Sequence, residues 1–214
     1  MNFDIICFDC DSTLSKIEGI DELARRIGLG EEMAALTDSA MNGEVPLEAV
    51  YERRLSLIKP DLNAIDWLAD LYIDTMVDGV EQVFKTLLKK GKQVRIISGG
   101  IRQSILPLAE KLRLSADYVH AVDIFFKQDG SYRGFDPASP LAKTGGKARV
   151  CQSLNDEAAK LVMIGDGQTD LESKQAGAVF IGFGGVVERK AVREQADHFV
   201  NTPSLTGIFE HIGV

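Results

Sequence analysis

Asp9 and Asp11 stand two residues apart directly after the run Phe3-Asp4-Ile5-Ile6-Cys7-Phe8, with Ser12 and Thr13 behind them. Ionised carboxylates resist burial unless they are paired or bound to a metal. Two of them at the end of a core strand therefore imply a use. In an extended segment, residues i and i+2 point to one face, so both acids could meet one small substrate, Asp9 as nucleophile and Asp11 as proton donor. The position fits, because open α/β sheets bind ligands outside the carboxyl ends of their strands.

Two more apolar runs end in the same manner. Val94-Arg95-Ile96-Ile97 closes on Ser98-Gly99-Gly100, where a hydroxyl and free N–H groups at a helix N-terminus would suit a phosphate. The plainer alternative is a tight strand-to-helix turn. Leu161-Val162-Met163-Ile164 closes on Gly165-Asp166-Gly167-Gln168-Thr169-Asp170. Asp166 together with Asp9 could hold Mg²⁺, which prefers hard oxygen ligands; an ordinary Asp-Gly turn is the competing reading. Lys147, after Gly145-Gly146, could neutralise a phosphate oxygen, with Lys143 as a neighbouring competitor. His120, His198 and His211 lack metal or triad spacing and read as structural or surface residues, and no His/Cys cluster offers a zinc site. No serine sits in a Gly-x-Ser-x-Gly elbow, and Gly182-Phe183-Gly184-Gly185 lacks dinucleotide spacing.

The elements that would position these groups follow from periodicity. Ile17, Ile20, Leu23, Ala24 and Ile27 predict a helix stopped by Gly28 and Gly30. Further helices are predicted over Glu31 to Met41 (ending at Asn42-Gly43), from about Pro46 to Ile58, and around Ile65, Leu68, Ala69 and Tyr72. Four helices without a strand between them predict a helical lobe, residues 15–77, inserted into a core made of residues 1–14 and 78–214. From Asp78-Gly79 onward helix and strand alternate. Ile101 to Leu112 should be helical, with Pro107 as a site for a kink. Ile124 to Phe135, centred on Asp129-Gly130, should form a β-hairpin, and Lys147 to Leu154 a helix. Val179-Phe180-Ile181 and Phe199-Val200 should be strands. The expected fold is α/β: a doubly wound, mostly parallel Rossmann-like sheet with an inserted helical cap and a small β-hairpin.

Net charge −8 and pI ≈ 5.0 argue against a nucleic-acid partner. An anionic substrate remains compatible, because a metal and a few local cations set the field inside a site. Three cysteines, Cys7, Cys10 and Cys151, argue against a disulfide framework. No basic leader begins the chain, and the longest apolar run, Ala176 to Val187, is too short to span a bilayer. The chain is expected to be cytoplasmic, free of the membrane, and a monomer or homodimer.

In order along the chain, Asp9-x-Asp11-x-Thr13, Ser98, Lys147 and Gly165-Asp166-Gly167-x-Thr169-Asp170 resemble the four motifs of the haloacid-dehalogenase-like hydrolase superfamily. Within it the chain is similar to the phosphoserine phosphatase family at Glu18-Gly19-Ile20-Asp21-Glu22-Leu23-Ala24, Ala40-Met41-Asn42-Gly43, Arg54-Leu55-Ser56-Leu57-Ile58, Ile97-Ser98-Gly99-Gly100, Gly145-Gly146-Lys147 and Ile181-Gly182-Phe183-Gly184-Gly185. The resemblance implies an aspartyl-phosphate on Asp9 and acid–base catalysis by Asp11. It implies Mg²⁺ on Asp9, Asp166 and the Asp11 main-chain carbonyl, with Asp170 supporting the metal shell. It assigns the phosphoryl oxygens to Ser98, Gly99, Gly100 and Lys147, and the rest of a phosphoserine substrate to Glu18, Met41, Arg54 and Thr169. Leu47 stands where relatives often have phenylalanine, Cys10 where an aromatic is frequent, and Thr169 where some have asparagine. Phosphothreonine or phosphocholine are alternative substrates, and a non-catalytic phospho-acceptor switch is the alternative of a different class.

Overall fold

The structure is a computed structural model that describes residues 2–42, 44–154 and 160–213. Strand β1 (Ile5–Phe8) is buried along its whole length. Helices α1 (Gly19–Arg26), α2 (Gly30–Met41), α3 (Leu47–Ile58) and α4 (Leu62–Asp74) follow in succession, and α5 (Val80–Lys89) returns the chain to the sheet. Next come β2 (Gln93–Ile101), α6 (Arg102–Lys111), β3 (Val119–Val122), β4 (Ile124–Phe126), β5 (Tyr132–Phe135) and α7 (Gly146–Leu154). The chain closes with β6 (Leu161–Gly165), α8 (Gln168–Leu171), β7 (Val179–Phe183), α9 (Lys190–Gln195), β8 (His198–Val200) and α10 (Phe209–Ile212).

Six strands form one parallel sheet in the order β3-β2-β1-β6-β7-β8, and β4 pairs antiparallel with β5 as a separate hairpin. This is the expected α/β architecture. Strands covered on both faces read as continuous apolar runs, which is why β1 and β6 show no alternation. Phe8 packs on Phe84 of α5 with ring centroids 5.1 Å apart. Burying a side chain of this size stabilises the fold by roughly 1.5–3 kcal/mol. Register places Phe8 opposite both Ile96 and Ile164, so the segments after β1, β2 and β6 emerge side by side. Strand order reverses at β1, the switch point where such sheets bind ligands.

The ends of the helical insert also lie side by side. Ser15 and Met76 form an isolated antiparallel bridge. The Lys16 N–H donates to the Thr75 carbonyl at 2.8 Å and the Val77 N–H to the Leu14 carbonyl at 2.9 Å. Within the insert, Lys59 ends α3 in a left-handed conformation (φ 46°) before Pro60. Asp61 then caps α4 by accepting from the Ala64 N–H at 2.8 Å.

Several local expectations are corrected. Ser98-Gly99-Gly100 does not close β2; the strand runs on to Ile101, with irregular register between Ile97 and Ile101, and α6 starts at Arg102. The Ser98 hydroxyl accepts the Gly100 N–H at 3.0 Å, so that donor is used inside the strand rather than left free at a helix start. The Asp9-to-Thr13 segment is not extended. The Cys10 carbonyl accepts from the N–H groups of Thr13, Leu14 and Ser15, and Ser12 takes φ 51°, so the backbone turns at once. Gly28 (φ 80°) stops α1 while Gly30 opens α2, and Ile27 is half-exposed beyond α1 rather than on its buried face. Edge strand β3 was not anticipated. Gly43 lies outside the described residues.

Candidate active site

The turn after β1 brings both acids to one cavity, by turning rather than by extension. Asp9, Asp11, Glu18, Met41, Arg54, Gly99, Gly100, Lys147, Asp166 and Thr169 all line it, together with Ile20, Thr37, Leu47, Leu141 and Lys143. Ser98 and Asp170 are fully buried beside it but are not among its lining residues.

Lys147 is the positive centre. Its Nζ lies 2.8 Å from Asp9 Oδ2 and 2.6 Å from Asp170 Oδ1, with all three side chains buried. Burial alone would lower its proton affinity, but Asp170 and Asp9 outweigh that and raise it. Lys143 also lines the cavity, but it is Lys147, early in α7, whose Nζ pairs with Asp9 and Asp170. Asp170 is locked twice, since its Oδ2 also accepts the Gly167 N–H at 3.0 Å. A Cβ at Gly165 would collide with the Asp170 carboxyl, so glycine at that strand end is what lets Asp170 pack there.

Asp11 is held by two donors on one oxygen. The Gly19 N–H reaches Oδ1 at 2.9 Å and the Tyr72 hydroxyl donates to it at 2.6 Å. A Cβ at Gly19 would occupy the place of the Tyr72 hydroxyl. Burial, and then repulsion from Asp9, push the Asp11 carboxyl up to about 7. The same two causes push Asp166 up to about 6.

Among the described residues, Asp9, Asp166 and Asp170 form one group spaced to share a cation, with one carboxylate oxygen from each all within 4.8 Å of one another. Buried, hard oxygen donors of this kind fit a divalent cation such as those of phosphate chemistry. The crowding has a measurable consequence. An unfolded carboxyl titrates near ~4, so the folded chain binds more protons than the unfolded chain as pH passes from there through the Asp166 and Asp11 values. The sign follows: stability is present in full below the unfolded value and is lost as pH rises through about 6 and about 7. Without divalent cations the melting temperature should fall from about pH 5 to about pH 7.5, and added divalent cation should restore more at the upper end. Thermal melts across that range, with chelator and with metal, check this; a flat profile would show that these acids do not titrate as the geometry requires.

Arg54 on α3 lines the same cavity and is almost wholly buried. One terminal nitrogen donates to Thr37 Oγ1 at 2.8 Å, and the Thr37 hydroxyl donates in turn to Asp21 Oδ1 at 2.5 Å. Its Nε has no hydrogen-bond partner. Glu18 accepts the Ser12 hydroxyl at 2.8 Å and keeps part of its side chain exposed.

Sequence reasoning missed four groups. Thr37, Asp21 and Tyr72 lay on helices read only for apolar spacing. The fourth, Arg189, is buried after β7 and faces Asp166 at 3.3 Å, Asp38 at 3.3 Å and Glu18 at 3.8 Å. It follows another strand carboxyl end of the same sheet, so the topological argument applied to β1, β2 and β6 would have reached it through β7.

A family model for haloacid dehalogenase-like hydrolases matches residues 3–177. The chain belongs to the haloacid dehalogenase-like hydrolases. It is 38% identical over 199 residues to the phosphoserine phosphatase of Homo sapiens, covering 92% of this chain and 88% of that protein. A solved substrate-bound phosphoserine phosphatase complex superposes with TM-score 0.86 at 28% identity, covering 99% of each chain. A phospho-aspartyl intermediate analogue of phosphoserine phosphatase gives TM-score 0.83 at 28% identity, covering 99% of this chain and 100% of that one. As a member of this hydrolase family the chain is an enzyme, and among its described residues no helix is long and apolar enough to cross a membrane.

Proposed function

We propose that this haloacid dehalogenase-like hydrolase cleaves O-phospho-L-serine to L-serine and phosphate through an aspartyl-phosphate on Asp9, with Mg²⁺ as its metal. One observation carries the substrate. The cavity is lined by paired acids and by a buried guanidinium whose Nε lacks a partner. A buried N–H of a charged group is costly to leave unpaired, and a substrate carboxylate is the acceptor that fits it. Glu18 supplies the opposite charge for the substrate ammonium. The named relatives, which include a substrate-bound complex and a phospho-aspartyl analogue, support the same reading.

Asp9 attacks phosphorus in line; its oxygen bonds to phosphorus as the bond to the serine oxygen breaks. Serine's alkoxide is a poor leaving group, so it takes a proton as it departs. Asp11 is the donor: its raised proton affinity keeps it protonated toward neutrality. With Oδ1 tied by Gly19 and Tyr72, the proton belongs on Oδ2, which lies beside Gly100 at the cavity wall. In the second step water attacks phosphorus and gives a proton to Asp11 as the bond between phosphorus and the Asp9 oxygen breaks, freeing phosphate and the Asp9 carboxylate. Lys147 and the Gly99 main chain, at the cavity wall, would stabilise the phosphoryl oxygens, with Ser98 buried behind them and tied to the Gly100 N–H. Mg²⁺, held by Asp9, Asp166 and the Asp11 carbonyl with Asp170 behind them, would neutralise charge between nucleophile and phosphate. Met41, Leu47 and Thr169 shape the remaining wall. Residues 15–77 act as a cap over a core of residues 1–14 and 78–214, excluding water during transfer.

The test is phosphate release with Mg²⁺ from L-phosphoserine, D-phosphoserine, phosphothreonine, phosphocholine and an aryl phosphate, each repeated with chelator. L-phosphoserine should lead, and chelator should abolish release. Arg54→Ala should lower kcat/KM for L-phosphoserine by about 10²-fold or more while leaving phosphocholine and the aryl ester far less affected. A different leading ester, indifferent to Arg54, would replace the substrate; a stable phosphoprotein without turnover would instead support a phospho-acceptor switch.

A further inference from the structure

Helix α3 carries Arg54 and begins at Leu47, yet its own N-cap residue, Pro46, provides no side-chain cap. The cap comes from a segment almost a hundred residues away. The Leu47 N–H donates to Thr144 Oγ1 at 3.0 Å, the Thr144 hydroxyl donates to Glu48 Oε2 at 2.8 Å, and the Thr144 N–H donates to the same oxygen at 2.8 Å. This is the reciprocal logic of a capping box, with its two halves on different parts of the chain. A hydroxyl from the sheet side receives the first N–H of the helix, and an acid from that helix's first turn reaches back to the hydroxyl residue's own N–H.

Thr144 also stands three residues before Lys147. Gly145 follows it in a left-handed conformation (φ 73°) and donates its N–H to Glu172 Oε2 at 2.8 Å. The loop that delivers Lys147 is thus tied on one side to the core and on the other to the start of α3. Leu47, at the clasp, also lines the catalytic cavity.

The geometry points to Thr144 and Glu48 as positioning residues: a split helix cap that forms only when α3 docks on the Lys147 loop, making closure over the substrate and placement of Arg54 a single event. This rests on the cap reading given above. When the insert moves away, the Leu47 N–H, the Thr144 N–H and the Glu48 carboxylate must all turn to water. Losing the clasp lowers the fraction of chains in the binding-competent form, and apparent affinity falls by that fraction. The chemistry in the closed complex is untouched.

Thr144→Val and Glu48→Ala should each raise KM by about 5- to 30-fold, with kcat held within about two-fold. The effect of the double variant should be smaller than the two single effects combined, because the bond between the Thr144 hydroxyl and Glu48 is lost in both. Thr144→Ser should restore wild-type KM. A second readout is independent of turnover: hydrogen exchange of the amides at residues 47–50 should slow on adding inorganic phosphate with serine in the wild type, and not in Thr144→Val. KM is measured on whichever phosphomonoester the wild type turns over best, so a wrong substrate assignment leaves the test intact. Unchanged KM in both single variants, additive effects in the double variant, or a fall in kcat alone would each overturn the inference.

Discussion

Asp9→Asn should reduce turnover by about 10³-fold or more while leaving a folded protein that is no easier to unfold at neutral pH when divalent cations are absent. The first half follows from removing the nucleophile. Asp9 sits at the end of a wholly buried strand, its Oδ1 accepting the Cys10 N–H at 2.7 Å and its Oδ2 facing Lys147 at 2.8 Å. An asparagine keeps the shape and loses the attacking oxygen. The second half follows from crowding. Asp9 is among the causes that raise the proton affinity of Asp11, Asp166 and Asp170. Replacing it with a neutral isostere lets those groups ionise more readily, and Lys147 retains Asp170 as partner. The pH-dependent loss of stability should shrink accordingly. Acid-quench capture of labelled phosphoenzyme, with melts in chelator, measures both. Near-normal turnover would remove Asp9 as nucleophile; a large loss of stability would show that its bond to Lys147 outweighs the repulsion.

Lys147→Met should be damaging twice over. In the fold it leaves two buried carboxylates, Asp9 and Asp170, without their shared cation. Removing one partner of a buried ion pair costs about 3–5 kcal/mol, because the remaining charge keeps its desolvation penalty. In the reaction it removes a cation from the phosphoryl oxygens, a loss of about 10²–10³ in kcat. The two effects separate in the double variant Lys147→Met/Asp170→Asn, which should recover part of the stability and none of the activity. Added divalent cation should also recover stability, by supplying charge to the same acids. Denaturant titrations with and without metal decide the matter. A loss below about 1 kcal/mol, the range of an exposed pair, would mean that the triad is not the buried unit its geometry describes.

How far the site could be read from the chain depended on what each signal reports. Continuous apolar runs ending in acids identified β1 and β6 and their strand-end residues, because burial on both faces leaves no alternation to obscure the ends. Helical spacing found α1 to α4 but reported only which face turns inward. It could not reveal that the tip of Tyr72 meets Asp11, or that Thr37 passes a hydrogen bond from Arg54 to Asp21. Arg189 lies in Glu188-Arg189-Lys190, a stretch that reads as solvated until β7 brings it beside Asp166. Edge strand β3 is four residues long and includes His120, too short and too mixed for a periodicity to stand out. At Ser98-Gly99-Gly100 the two glycines line the cavity, but the backbone is strand rather than turn, since composition cannot tell a turn from a strand whose irregularity is absorbed by a side-chain hydroxyl.

The bridge between Ser15 and Met76 has a further consequence. Because Leu14 and Val77 are already joined by a hydrogen bond, the 15–77 segment leaves the sheet and comes back through one narrow doorway. A short linker across that doorway would bypass the whole segment without asking β1 or α5 to move. In architectural terms the four helices hang from the sheet as one insert. Swapping that insert would change Arg54 and Met41 at the cavity wall and would also remove Gly19 and Tyr72, the two donors that hold Asp11, while Asp9, Asp166 and Asp170 keep their places at the strand ends.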